Sequence, residues 1–272
     1  MGIKVQVHLK LCYKKPLASS EFIFTFQLDI YSCFTDLLIL RIFYEAQELI
    51  SKSSDYKELG IDEQMSKIDT ARKAPIILIG GIPGVGKSSI SGYVAREMGI
   101  DIVLSGDYLR EFARPILSDE NRNLLSTSVY EAWKSFGPEN EENIRKGFLS
   151  QGEMLNRGLN AVLLRAIKNG EPMIVETLYF IPSQLDKEVL ENTTCLYIYI
   201  SKKEINSQRL LERENFTHYN SPGKRLSDQL GRYRVMMEYS LKECSEFGIR
   251  TFDNLVYTDT REEIIQYLRG LY

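Results

Sequence analysis

The alternation of apolar and polar positions changes character near residue 70. Before that point, Lys4 to Leu11 places Val5, Val7 and Leu9 on one face, which predicts a strand. Phe22 to Leu28 is a second aromatic-rich run whose pattern fits strand or helix. Leu37, Leu38, Ile42, Phe43, Ala46 and Ile50 fall at helical spacing, and the polar Ser51-Lys52-Ser53-Ser54 run ends that helix. The charged stretch from Asp55 to Lys73, with Gly60 inside it, reads as a linker. The expected division is a small α+β appendage over residues 1–70 and a main domain over 71–272.

After Pro75, short apolar runs alternate with helical ones. Ile76-Ile77-Leu78-Ile79 predicts a buried strand, followed by a glycine loop from Gly80 to Gly86 and a helix from Lys87 to Met98. Ile102-Val103-Leu104, Met173-Ile174-Val175, Leu196 to Ile200 and Ile249 to Phe252 supply four more strands. Between Glu141 and Lys168, Phe148, Leu155, Leu159, Val162, Leu163 and Ala166 form the apolar stripe of one helix or of a broken pair. Strands that alternate with helices need crossover connections. The fold class is therefore α/β, a three-layer domain whose parallel sheet is covered on both faces.

Composition narrows the class of partner. The 272 residues are 43% hydrophobic and 26% charged, as in an ordinary globular protein. With 34 basic against 37 acidic residues the net charge is -3, so no global field attracts nucleic acid or an anionic membrane, and any phosphate site must be local. Cys12, Cys33, Cys195 and Cys244 are scattered, with only His8 and His218 to join them, so no structural zinc site is expected and the thiols read as buried small hydrophobes. Residues Met1 to Gln6 lack the apolar core of a signal peptide, and the apolar stretch Phe22 to Tyr44 is broken by Asp29, Asp36 and Arg41. A cytoplasmic location is expected.

Gly81-Ile82-Pro83-Gly84-Val85-Gly86-Lys87-Ser88 is a complete G-x-x-x-x-G-K-[S/T] loop, placed between a buried strand and a helix. Its glycines let successive N–H groups point inward, Lys87 reaches the β and γ phosphates, and Ser88 ligates Mg²⁺. The nucleotide-binding set is Gly81, Gly84, Val85, Gly86, Lys87, Ser88 and Ser89. No N-K-x-D tetrad for guanine follows, and the third core strand ends in a single carboxylate, Glu176. A small-molecule kinase using ATP and Mg²⁺ is favoured.

The second core strand runs into Ser105-Gly106-Asp107-Tyr108-Leu109-Arg110, which puts a carboxylate where open parallel sheets bind ligands. Asp107 is the candidate general base, with a helix N-cap as its alternative role. Arg110 and Arg114, one turn apart, are candidates for binding an anionic acceptor, and a solvated face is the alternative for Arg114. Glu176 is a candidate for the magnesium shell or an acceptor hydroxyl, or a structural strand-end carboxylate. Ser128, Tyr130 and Trp133 form a polar-aromatic cluster on an expected helix, a spacing that marks core more often than an acceptor site. Arg209, Arg213, Lys224, Arg225, Arg232 and Arg234 surround Tyr219-Asn220-Ser221-Pro222-Gly223, the composition of a lid over residues 205–235 that carries arginines to the triphosphate. Arg209 is assigned to the nucleotide, Arg213 to catalysis and Arg232 to the acceptor.

Residues 75 to 255 resemble the archaeal 2-phosphoglycerate kinase family. The likeness rests on Gly80-Gly81-x-x-Gly84-Val85-Gly86-Lys87-Ser88, Asp107-x-x-Arg110-Glu111-x-x-Arg114, Ser128-x-Tyr130-x-Ala132-Trp133 and Gly147-Phe148-x-x-Gln151, continuing through Gly158, Arg165-Ala166 and Glu176 to Pro182. The resemblance implies a P-loop kinase fold acting on a small phosphorylated hydroxy acid. The departures fall on the acceptor side. Gly106-Asp107 stands where the family usually has Thr-Asp, and Glu176-Thr177-Leu178-Tyr179-Phe180 replaces Glu-Gly-Val-His-Leu, so Tyr179 takes the place of a histidine. A more apolar pocket with Leu178, Tyr179 and Phe180 suits the branch of the family that phosphorylates the 5-hydroxyl of mevalonate 3-phosphate in isoprenoid synthesis. The first seventy residues resemble a degraded version of the nucleotide-binding cone domain that precedes the kinase in the family, sharing Pro16 and Ser19, and are not expected to bind nucleotide.

The expected reaction makes mevalonate 3,5-bisphosphate and ADP, with 2-phosphoglycerate as the runner-up acceptor. Two other classes stay open: a nucleotide-dependent switch, and a polynucleotide kinase that the missing basic surface disfavours. The expected partner is the small phosphorylated acid, with a homodimer as an open option and neither nucleic acid nor membrane.

Overall fold

The computed structural model describes residues 3–11, 22–30, 74–216 and 223–272. The helix expected over 37–50, the linker from Asp55 to Lys73, Pro16 and Ser19, Cys12 and Cys33, and the lid apex with His218 and Tyr219 to Pro222 lie outside the described residues. Contacts divide the chain into two compact units, Met1–Ala71 and Arg72–Tyr272.

In the first unit, β1 (Ile3–Leu11) pairs antiparallel with β2 (Phe22–Ile30). The run that fitted strand or helix is thus a strand. The register explains why: Val5 lies opposite Leu28, Val7 opposite Phe26 and Leu9 opposite Phe24, so the apolar positions of both strands become cross-strand partners.

The second unit is a five-stranded parallel sheet flanked by helices. Its strands are β3 (Ile76–Gly80), β4 (Ile102–Ser105), β5 (Met173–Thr177), β6 (Thr194–Tyr199) and β7 (Arg250–Asp253), in the spatial order β4-β5-β3-β6-β7. Every residue of β3 and β5 is buried, which is why they read as unbroken apolar runs rather than alternating ones. The helices are α1 (Lys87–Met98), α2 (Gly106–Ala113), α3 (Asp119–Ser126), α4 (Glu141–Asn169), α5 (Lys187–Asn192), α6 (Lys203–Phe216), α7 (Gly223–Ser227), α8 (Leu230–Glu246) and α9 (Tyr257–Arg269), with 3₁₀ turns at Arg114–Ile116, Val129–Ser135 and Pro182–Gln184. α1 packs on α9, and α4 packs on α8. The stretch that allowed one helix or two is a single helix, α4. Asn140 caps it by accepting from the Asn143 N–H at 2.8 Å, and Glu141, Glu142 and Lys168 carry charges of the sign that each end favours.

The order of the strands positions the site. β3 is central, so the loop that leaves it opens between β5 and β6 at the carboxyl edge of the sheet. The ends of β4 and β5 lie beside it, with Ser105 paired to Glu176 and Gly80 to Thr177.

Candidate active site

β3 ends at Gly80 and turns through Gly81–Gly86 directly into α1. Gly84 and Gly86 adopt φ values of 81° and 91°, a region in which a Cβ meets its own backbone. The surrounding space is closed as well: a Cβ on Gly84 would stand 2.7 Å from Leu210 Cγ, and one on Gly86 2.8 Å from Asn254 Nδ2. No side chain caps the start of α1, so its first N–H groups and its positive end face outward from the sheet edge. That arrangement is an anion cradle.

Charged groups converge beside the cradle. The Lys87 side chain is 12% exposed, with Nζ donating to Ile82 O at 3.3 Å and lying 4.0 Å from Glu176 Oε2. Ser88 Oγ donates to Glu176 Oε1 at 3.0 Å. Burial pushes the Lys87 ammonium below its ordinary value, Glu176 and Asp107 pull it back up, and Arg213 presses it down again. Arg213 is likewise lowered first by burial and raised by Asp107, Tyr233 and Glu176. The charges of Asp107, Glu176 and Arg213 therefore all act on Lys87. Asp107 is exposed and sits in the first turn of α2; the N-cap position belongs to Ser105, so capping is not the role of Asp107.

The remaining predicted residues separate into those at the cradle and those committed elsewhere. Gly81, Val85 and Ser89 belong to the loop and the first turn of α1, and Ser89 O accepts from Tyr257 Oη at 3.2 Å. Arg209 reaches around to donate to Leu255 O at 3.0 Å. Arg110 turns its guanidinium onto Leu125 O and onto Thr127 O, the latter at 2.9 Å, where a cation complements the carbonyl end of α3. Arg114 pairs with Glu111 at 2.5 Å and with Ser126 Oγ at 3.3 Å. Arg232 forms a two-pronged pair with Glu139, both bonds at 2.8 Å, and lies over the Trp133 ring. Tyr130 is buried and meets Tyr233 edge-on at 5.8 Å. Tyr179 is buried too, stacked on Phe148, with its hydroxyl donating to Gln151 Oε1 at 2.6 Å; burial drives its phenol up.

Sequence reading did not find the frame behind Glu176. Gln151 joins Tyr179 to Leu124 O and Thr127 O at 2.6 and 2.9 Å, the same carbonyl cluster that Arg110 grips. Glu243, from α8, accepts from Ser183 N at 2.9 Å, Ser183 Oγ at 2.7 Å and Tyr239 Oη at 2.6 Å. Ser240 donates to Phe180 O at 2.9 Å, and Asn156 and Asn160 hold Gln184 from α4. The segment after β5 is thus fixed from both sides. Buried polar residues on otherwise apolar helix faces were the available signal. Close approach is tight as well: a Cβ on Gly106 would stand 2.8 Å from Thr177 Oγ1, so the glycine before Asp107 makes room for the threonine after Glu176.

Ser88 and Glu176 offer two hard oxygen donors to one point beside the cradle, a set that suits Mg²⁺, which takes few protein ligands and completes its shell with phosphates and water. Among the described residues no cluster of three or more His, Cys, Asp or Glu side chains suits a metal held by protein alone.

A parallel sheet that opens a glycine cradle at the head of a helix, with a lysine in it and carboxylates at the next two strand ends, defines a P-loop phosphotransferase that uses ATP. A family model described as an AAA domain matches residues 80–221. The chain is 46% identical over 194 residues to the mevalonate-3-phosphate 5-kinase of Thermoplasma acidophilum, a match that covers 71% of this chain and 95% of that protein. It is 30% identical over 201 residues to the 2-phosphoglycerate kinase of Methanopyrus kandleri, covering 72% of this chain and 62% of that longer relative. A shikimate kinase structure from Acinetobacter baumannii, 15% identical, superposes with a TM-score of 0.44 over 75% of this chain and 97% of that one. The chain belongs to the P-loop kinase family of mevalonate-3-phosphate 5-kinase and the archaeal 2-phosphoglycerate kinases.

Proposed function

We propose that this kinase transfers the γ-phosphoryl group of ATP to the 5-hydroxyl of mevalonate 3-phosphate, giving mevalonate 3,5-bisphosphate and ADP in the cytoplasm. The observation that carries this reading is the 46% identity over 95% of the Thermoplasma relative, which far exceeds the 30% shared with the Methanopyrus enzyme. Among the described residues no helix is long and apolar enough to cross a membrane.

The loop N–H groups and Lys87 hold the β and γ phosphates. Asp107 takes the proton of the 5-hydroxyl as its oxygen bonds to the γ phosphorus, and the bond from that phosphorus to the β–γ bridging oxygen breaks, leaving ADP with the electron pair. Arg213 and Lys87 face the negative charge that spreads over the transferred group. Ser88 and Glu176 would hold Mg²⁺, which supplies neutralisation of the phosphate oxygens.

Asp107→Asn should lower kcat by about 10²–10⁴-fold while sparing ATP affinity. The deciding experiment follows ADP release with mevalonate 3-phosphate and 2-phosphoglycerate side by side. Turnover with the first at least tenfold above the second supports the proposal, and the reverse order assigns the chain to the runner-up reaction.

A further inference from the structure

Asn206, in the first turn of α6, and Asn254, directly after β7, are both fully buried and reach the phosphate loop from two different elements. Asn206 Nδ2 donates to Pro83 O at 3.2 Å, and Asn254 Nδ2 donates to Val85 O at 2.8 Å. In a trans peptide the C=O and the N–H of one unit point in opposite directions. Holding the Pro83 carbonyl toward Asn206 therefore aims the Gly84 N–H away from it, and holding the Val85 carbonyl toward Asn254 aims the Gly86 N–H away from that amide. Those two N–H groups belong to the cradle.

Two further observations fit the same role. A Cβ on Gly86 would stand 2.8 Å from Asn254 Nδ2, so that amide fills the space the missing side chain leaves, and at Gly84 the Asn206 amide, 2.9 Å from such a Cβ, shares that space with Leu210. Oδ1 of both asparagines has no hydrogen-bond partner among the described residues, so each amide is engaged only through its donor half. We propose that Asn206 and Asn254 are positioning residues for the nucleotide, which orient the Gly84 and Gly86 N–H groups toward the phosphates by holding the carbonyls of the preceding peptides. Asn206 has a second effect. Its bond ties to the loop the face of α6 on which Arg209, Leu210 and Arg213 follow at i+3, i+4 and i+7.

The proposal rests on the loop being the nucleotide site, and its test needs no acceptor. ADP and adenosine binding are measured by calorimetry, with melting temperatures, for the full-length wild type, Asn206→Ala, Asn254→Ala and Asn254→Asp. ADP affinity should fall about tenfold or more in each alanine variant and further in Asn254→Asp, whose carboxylate cannot donate, while adenosine affinity stays within twofold. Asn206→Ser and Asn254→Ser, which keep a hydroxyl donor, should fall between wild type and alanine, and they carry the comparison if an alanine variant does not fold. Unchanged ADP affinity in the folded variants, or ADP and adenosine affinities falling together, overturns the proposal. A wild type that binds no ADP removes the nucleotide site itself, which the acceptor assay alone would not reveal.

Discussion

Lys87 carries its charge in a place that disfavours it. Burial lowers its pKa below the ordinary 10.5, so between the lowered value and 10.5 the unfolded chain binds more protons than the folded one. Stability therefore rises with pH across that window, and the cost of the buried ammonium is fully present below it. Bound phosphates act in the opposite sense, because they favour the charged form. ADP binding should then take up protons in the alkaline range, increasingly as the free lysine begins to lose its own. Calorimetry in two buffers of different ionisation enthalpy measures that uptake directly. It should disappear in Lys87→Met; uptake that persists there would place the responsible proton on another group.

At the scale of elements, the segment that follows β5 is stapled rather than free. Glu243 is 5% exposed and accepts three hydrogen bonds, two of them from Ser183. Glu243→Ala leaves the Ser183 N–H and hydroxyl and the Tyr239 hydroxyl without that acceptor, a loss of about 2–4 kcal/mol. For a domain of this size the melting temperature should drop by roughly 5–15 °C. Since the same segment follows Glu176 and Tyr179, the KM for the acceptor should rise while the KM for ATP holds. A melting temperature within 1–2 °C of wild type would show that the staple contributes little. Such staples are the part of the molecule that a sequence conceals. α1 and the cores of the β3–β7 strands were legible because a glycine loop, a helical stripe or an apolar run is a local pattern. The order β4-β5-β3-β6-β7 was not, since each pairing joins strands separated by a crossover. Among side chains, Lys87 and Ser88 were legible from spacing alone. The partners of Arg110 and Arg232 were not: one guanidinium ends on carbonyls 15 and 17 residues away and the other on a carboxylate 93 residues away. An arginine's charge is visible in a sequence, whereas the group that claims it is set by the fold.

At the scale of the whole molecule, the candidate site falls within one unit: Lys87, Asp107, Glu176, Asn206, Arg213 and Asn254 all lie in Arg72–Tyr272, and among the residues whose burial is described the core runs from Ile76 to Leu268. A domain of about 200 residues buries roughly 70% of the surface its unfolded chain exposes, enough to fold without an appendage. The match to the Thermoplasma relative spans 194 residues and 95% of that protein, a length that would fit within the second unit. A chain starting at Arg72 should therefore unfold in one cooperative transition, bind ADP as the full-length chain does, and phosphorylate its acceptor within about threefold of the full rate, a difference under 1 kcal/mol in the barrier. Thermal unfolding and the ADP-release assay on the two lengths of chain decide it. Loss of cooperative melting would show that Met1–Ala71 stabilises the kinase, and a normal melt with turnover down by more than an order of magnitude would assign that unit a part in catalysis.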